Sequence, residues 1–272
     1  MRVLQLGGDL ARRYSNELYE NTVNNKQDIS IDHRLIEAPP VIGSAIAFPI
    51  QTFFTDFDVY DIVHNVAGCA FFPQRKGDAI IVTSANEMQP VLYPEITPLL
   101  ITSLKDLAWQ TFAVKPTFES IPNSDYIIAN SKLTARGVRK MGFPKSRIFT
   151  VQHGLDRRFY AKTNEKKVKK AFVVGTLGTI SPHKNTFFSI DAFKRIEDKN
   201  VRFDIWGKSL YSVSKLEESI AQDKRIRLMG SAPEKNIVDI YDSFDVFLFP
   251  SLFEGFGMPI IEAITGGASI SL

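Results

Sequence analysis

At 272 residues, with 44% apolar and 23% charged side chains, the chain has the make-up of an ordinary soluble globular protein, long enough for two domains of about 150 residues each. Lys and Arg number 33 against 30 Asp and Glu, a formal charge of +3 that gives no ground for nucleic acid as a partner. A single cysteine, Cys69, excludes an internal disulfide and any all-cysteine metal site, and fits a reducing, cytoplasmic setting.

The first predicted strand, RVLQLG (2–7), opens the chain without an apolar run of signal-peptide length. It turns at LGGD, where Gly8 is a candidate to approach a phosphate or an acceptor, as well as a plain strand-to-helix connector. ISIDHRLIE (29–37) is the second strand. The uncharged stretch 38–54 is broken by prolines and a glycine and falls short of the ~20 apolar residues of a membrane span, so it reads as core or interface. Asp56 and Asp58 imitate a metal-binding Asp-x-Asp but precede a strand, and read as turn caps. DIVHNV (61–66), AIIVTS (79–84), YIIAN (126–130) and IFTVQH (148–153) are further strands, with a helix over 131–141 opened by an Asn/Ser cap and closed by Gly142. The basic run EKKVKK (165–170) reads as a solvated linker, with an anionic lipid surface as the alternative.

After it the pattern restarts: AFVVG (171–175), RFDIWG (202–207), IRLMG (226–230), VFLFP (246–250) and ASISL (268–272). Between them, NTFFSIDAFKRIED is expected to place Phe188, Phe193 and Ile196 on or near one face, and APEKNIVDIYDSF to bury Ile237, Ile240 and Tyr241 behind a first-turn Pro233. Strands alternating with helices, twice over, predict an α/β protein of two doubly wound Rossmann-like domains, 1–160 and 161–272, facing a cleft at the carboxyl ends of both sheets.

The residues richest in chemistry stand near the end, in FLFPSLFEGFGMPIIEA. Glu254 falls on a loop at the carboxyl end of a strand, and Gly255, Phe256 and Gly257 lead with free amides into a helix that has Pro259 in its first turn. A glycine-flanked helix N-terminus suits a phosphate or diphosphate. Glu262, about one turn on, suits the two hydroxyls of a ribose, and Glu254 a further polyol. Together they outline a nucleotide sugar. The four histidines, at 33, 64, 153 and 183, show no metal-ligand spacing, and GTLG (175–178) lacks the third glycine of a dinucleotide fingerprint.

EGFGMPIIE resembles the Glu-x7-Glu signature of the large retaining glycosyltransferase family of GT-B fold. VVGTLGTISPHKN, YDSFDVFLFPS and the segment from Ser124 to Asp156 are similar to further stretches of that family. The resemblance implies hexose transfer from a nucleoside diphosphate sugar, with retention, without metal or other cofactor, to an acceptor that is a glycan, a lipid or a protein. It assigns Glu254 to the hexose and transition state, Glu262 to the ribose, and Lys184 to the diphosphate. Beside Lys184 the family's usual arginine is replaced by His183, which helps only when protonated. Gly175 and Thr176 belong to the donor loop, and Lys208 and Ser231 to the loops around the base. On the acceptor side the family's histidine is replaced by Ala85, leaving Asn86, or His64 on a neighbouring strand, to serve there. A sugar-nucleotide-binding module without transfer, or an epimerase of the same fold, is the alternative. Relatives continue past the last strand, so the resemblance also implies a second domain short of its closing elements, with an uncovered flank open to self-association or to a membrane.

Overall fold

The structure, a computed structural model, describes residues 1–8, 12–25, 28–36, 55–66, 77–101, 107, 118, 121–160, 171–209 and 213–271. The uncharged stretch 38–54, Cys69 and the basic run 165–170 lie outside these residues. The chain divides into two compact units, Met1–Gln152 and His153–Leu272. The segment 153–160 thus belongs with the second unit, because Phe159 is buried against Tyr241 and Leu155 packs on the same cluster.

In the first unit the elements run β1 (Arg2–Gly8), α1 (Arg12–Asn25), β2 (Ser30–Ile36), β3 (Ile62–Asn65), β4 (Ile80–Ala85), α2 (Gln89–Leu92), β5 (Tyr126–Ala129), α3 (Lys132–Lys140) and β6 (Ile148–Thr150). The strands form one sheet in the order β2-β1-β3-β4-β5-β6, with every pair parallel. Strand order reverses between β1 and β3, which opens the crevice of such a sheet there. One core cluster joins Leu4, Leu6, Val63 and Ile81 to Phe57 and Tyr60, and another joins Ala85, Met88, Ile127 and Val138. Asp56 accepts from the Asp58 amide at 3.0 Å, so this pair caps a turn, as its sequence indicates. Ser131 caps α3 by accepting from the Thr134 amide at 3.0 Å, and Gly142 ends it at φ 87°.

The second unit runs α4 (Arg157–Tyr160), β7 (Phe172–Leu177), α5 (Thr186–Lys194), β8 (Val201–Trp206), α6 (Val213–Ile220), β9 (Ile226–Gly230), α7 (Ile237–Asp242), β10 (Val246–Leu248), α8 (Met258–Thr265) and β11 (Ser269–Ser271). Its five strands, again all parallel, are ordered β11-β10-β7-β8-β9, so the reversal falls between β7 and β10. Two apolar clusters flank this sheet, one around Tyr241, Phe244 and Phe247, the other around Ile190, Phe193 and Phe203.

Two expectations about helices need correction. Left-handed Asn185 sets the start of α5, so Thr186, Ser189, Ile190 and Phe193 face inward, while Phe188 is 58% and Ile196 37% exposed. Pro233 precedes a 3-10 turn, Glu234–Asn236, and does not sit in the first turn of α7, although Ile237, Ile240 and Tyr241 are buried as expected. Among the described residues no helix is long and apolar enough to cross a membrane.

Candidate active site

In a parallel α/β sheet the loops that leave the carboxyl ends of the two strands at the reversal part to opposite faces and leave a crevice between them. In the second unit those strands are β7 and β10. The loop after β7 makes a short 3-10 turn at Pro182–Lys184 and enters α5 through Asn185. The loop after β10 runs through Glu254 and enters α8 through Gly257, whose φ of 83° lies where a side chain is disfavoured.

Four contacts join the loops. The Leu252 amide donates to the His183 carbonyl at 2.8 Å. The His183 ring stacks on Phe253, with centroids 5.3 Å apart. The Lys184 ammonium donates to Glu254 Oε1 and lies 4.8 Å from the centre of the Phe249 ring. Both charged side chains are largely shielded, at 18% and 26% exposure, so this is a stronger pairing than a fully exposed surface one.

A shallow, open recess lies beside the pair, lined by Thr176, Lys184, Trp206, Phe249, Ser251 and residues 177–180. Among the described residues the buried Ser251 hydroxyl has no hydrogen-bond partner, which costs about 1–3 kcal/mol unless something at the recess satisfies it. Apolar rings, one cation and a few hydroxyls make a wall fit for a polar anionic ligand with a flat group attached.

Of the residues singled out in the sequence, Thr176, Lys184 and Glu254 meet here, with His183 at the rim. Burial, then the neighbouring Lys184, push the pKa of His183 down to about 4, and its Nδ1 lies 3.0 Å from the Ser181 hydroxyl. At neutral pH the ring is an uncharged strut between the loops, and it can share a diphosphate's charge only once protonated.

Glu262, on α8, is 5% exposed, and its Oε2 accepts from the buried Tyr241 hydroxyl at 2.8 Å. Phe256 meets the His153 ring edge-on at 5.3 Å, between Gly255 and Gly257 at the entrance to α8. Gly175 is buried within β7, where a Cβ would come within 2.1 Å of the Phe244 ring, so its lack of a side chain serves packing. The Lys208 carbonyl accepts from the Ile180 amide at 3.0 Å, and the Gly207 amide donates to the Gly230 carbonyl at 2.8 Å. These bonds tie the loops after β7, β8 and β9 along one edge, but the exposed Lys208 and Ser231 side chains do not line the recess. Sequence reasoning missed Phe249, Trp206, Ser251 and the Tyr241 hydroxyl. The first three sit at or just past strand ends, and Tyr241 reaches Glu262 across 21 positions without a local signal.

In the first unit Gly8 ends β1, where it pairs with Ile36. His64 lies in β3 with Nε2 2.9 Å from the Ser84 hydroxyl, and burial pushes its pKa down to about 4. Asn86 follows β4, and its carbonyl accepts from Asn130 Nδ2 at 2.8 Å. Ala85 is a core residue packed with Met88 and Ile127. Among the described residues no group of three or more His, Cys, Asp or Glu side chains is placed to hold a metal ion.

The second unit therefore carries a glycine-entered helix, a crevice at the strand reversal, and a shielded lysine–glutamate pair. Residues 157–269 match the family model of glycosyl transferases group 1. A stretch of 107 residues is 35% identical to the GtfA subunit of a UDP-N-acetylglucosamine–peptide N-acetylglucosaminyltransferase from Streptococcus agalactiae, covering 38% of this chain and 20% of that protein. O-antigen chain mannosyltransferase B of Escherichia coli is 23% identical over 217 residues, covering 74% of this chain and 54% of its own length. The chain thus spans about half, or less, of these curated relatives. Anabaena HepE, solved in complex with UDP-glucose, superposes with a TM-score of 0.63 at 18% identity over 99% of this chain and 79% of its own. That likeness shows the fold, GT-B, and the match to the glycosyl transferases group 1 model falls within the second unit.

Proposed function

We propose that the chain transfers a hexose from a nucleoside diphosphate sugar to a hydroxyl of a glycan, lipid or protein acceptor, with retention at the anomeric carbon and without a metal ion. The observation that carries this reading is the pairing of Lys184 with Glu254 at the β7/β10 crevice, beside the glycine-flanked start of α8. The HepE complex with UDP-glucose supports the choice of donor class.

A diphosphate entering the crevice offers Lys184 a more highly charged partner than Glu254, so the lysine moves its hydrogen bonds to phosphate and releases the carboxylate to the hexose. The amides of Gly255, Phe256 and Gly257, at the positive end of α8, share the phosphate charge. As the bond from the anomeric carbon to the diphosphate oxygen breaks, positive charge grows on the ring and negative charge on the leaving group. Glu254 stabilises the first, and Lys184 with the helix amides the second. The acceptor hydroxyl bonds to the anomeric carbon from the same face and passes its proton to the departing phosphate oxygen. No separate strong base is then needed, which accommodates both Ala85 and a neutral His64. Glu262, held by Tyr241, takes the ribose hydroxyls, and the rim around Lys208 and Ser231 takes the base.

The test is to incubate the chain with UDP- and GDP-hexoses, with and without a chelator, and to read nucleoside diphosphate release and product anomer. Acceptor-dependent release that survives the chelator, with the donor's anomeric configuration kept, is expected. Tight nucleotide binding with no release on any acceptor would leave a binding module in its place, and loss of release with the chelator would end the metal-free mechanism.

A further inference from the structure

The loop that carries Glu254 is held at two points by the same kind of contact. On one side the His183 ring, from the loop after β7, stacks on Phe253. On the other the His153 ring meets Phe256 edge-on, with centroids 5.3 Å apart and the planes at 86°. Glu254 lies in the chain between the two phenylalanines. Offset stacking and edge-on approach are the favoured geometries of such ring pairs. Burial pushes the pKa of both histidines below the ordinary 6.5, so at neutral pH each contact is one of uncharged rings.

The two sides of the His153–Phe256 contact differ in how firmly they are built. His153 opens the second unit, and the residues after it are well anchored. Leu155 packs on the cluster around Tyr241 and Phe247, and Asp156 accepts from the Arg158 amide at 2.8 Å as α4 begins. Arg158 donates to the Glu234 carboxylate at 2.9 Å and to its carbonyl at 3.0 Å. Phe159, 2% exposed, lies against Tyr241 with ring centroids 5.9 Å apart. Phe256, by contrast, stands between two glycines, and Gly257, left-handed at φ 83°, has no side chain with which to cap α8. Glycine gives a backbone wide freedom, so the direction of the amides at 255–257 depends on the one side chain among them.

We propose that His153 is a positioning residue for sugar transfer, its ring fixing Phe256 and, through it, the amides of Gly255 to Gly257 and the aim of Glu254. This role rests on the proposed transfer reaction, because it concerns the same loop. His183 holds the loop on the near side of Glu254 and His153 on the far side, so the carboxylate is set between two fixed points. With one point gone, the Lys184–Glu254 pair can still form, but the amides are free to turn away from a diphosphate. Ordering them again then falls to the donor at each turnover, and a displacement of about 1 Å at the reacting centre is enough to cost up to about 100-fold in rate.

Turnover of UDP- or GDP-hexose by the whole chain, with calorimetric binding of UDP or GDP, tests the role. His153→Ala, with unchanged circular dichroism, is expected to lower kcat about tenfold or more and nucleotide affinity severalfold. His153→Phe keeps a ring at the position and is expected to restore most of both, whereas His153→Gln, polar but ringless, is expected to behave as His153→Ala. Phe256→Ala removes the same contact from the other side, so the double variant with His153→Ala should be no worse than the poorer single variant. It also reads the contact should His153→Ala misfold. His33 stacks on Tyr19 at 4.8 Å in the first unit, and His33→Ala, the loss of a like pair elsewhere, is expected to leave kcat unchanged. If the parent binds nucleotide without turnover, the affinities alone carry the same comparison. Parent-like values in His153→Ala, no recovery in a folded His153→Phe, or full additivity in the double variant would each overturn the role of His153 alone. A parent chain that binds neither nucleotide would overturn the transfer reading, and this role with it.

Discussion

In the proposed reaction Lys184 must give up a carboxylate partner when a diphosphate arrives, and this fixes what each single substitution at the crevice should do. In Glu254→Gln the amide keeps the shape of the side chain but no longer competes for Lys184. Nucleoside diphosphate binding should therefore hold or tighten severalfold by calorimetry, while turnover falls by about 100-fold or more, the scale of losing one preorganised charge-stabilising group. Parallel loss of binding and turnover would show that Glu254 holds the nucleotide and has no special tie to the sugar. Two histidines make a second prediction at this scale. His64 and His183 both have folded pKa values near 4, below the ordinary 6.5, so the unfolded chain binds more protons than the folded one. Their contribution to stability is intact above about pH 6.5 and is lost as pH falls toward 4. At pH 5 the cost is between about 1 and 2 kcal/mol for each ring. Urea unfolding at pH 7 and pH 5 should show His64→Gln losing less stability between the two than the parent, since carboxylate titration is common to both. An equal loss would mean that His64 is solvated enough to charge in place.

At the scale of elements, packing decides a contest that propensity alone would settle the other way. Replacing Gly137 by Ala within α3 favours the helix by about 1 kcal/mol in isolation. Here the new Cβ would stand 2.4 Å from Met88 Cβ, in the cluster that seats the helix on the sheet. Overpacking of that kind costs about 1–3 kcal/mol, so the net effect should be destabilising, and adding Met88→Gly, which removes the contacted Cβ, should recover part of the overpacking cost in a double-mutant cycle. A more stable Gly137→Ala would mean that α3 can lift off its seat without loss. The same contest between local pattern and packing explains which features the sequence reveals. Short β-rich runs bounded by glycine are legible as strands in both units because each is a local composition signal, and the cap at Ser131 is legible for the same reason. The inward face of α5 is easily misread, because one left-handed residue, Asn185, sets the phase of the whole helix and Phe188 looks outward as a result. Lys184 and Glu254 are legible singly, each inside a local motif. Their pairing spans 70 positions and the Tyr241–Glu262 bond spans 21, so neither has a trace in local sequence, and the neutrality of His183 comes from burial that only the folded loops create.

On the scale of the molecule, each apolar cluster among the described residues lies wholly within one unit: Leu4 to Ile81 and Ala85 to Phe143 in the first, Val174 to Ile226 and Phe159 to Ala268 in the second. Such units can open and close with free energies of their own. All the residues proposed for the nucleotide, from Thr176 to Glu262, are in the second unit, so mass action should stabilise that unit first. With UDP at about 100 times its dissociation constant the gain is about 2.7 kcal/mol, which slows exchange roughly 100-fold for amides that exchange only when the unit opens. Hydrogen exchange followed by mass spectrometry should therefore show strong protection around 176–184 and 250–262 and through β7 and β10, with rates in Met1–Gln152 left close to those without nucleotide. Lys184→Ala should shrink the effect in the second unit and change nothing in the first. Protection of similar size in both units would mean that they open as one body and that nucleotide affinity is set by the whole chain. Protection confined to the first unit would move the nucleotide to the crevice at β1 and β3, beside His64, and the roles argued for Lys184 and Glu254 would fall with it.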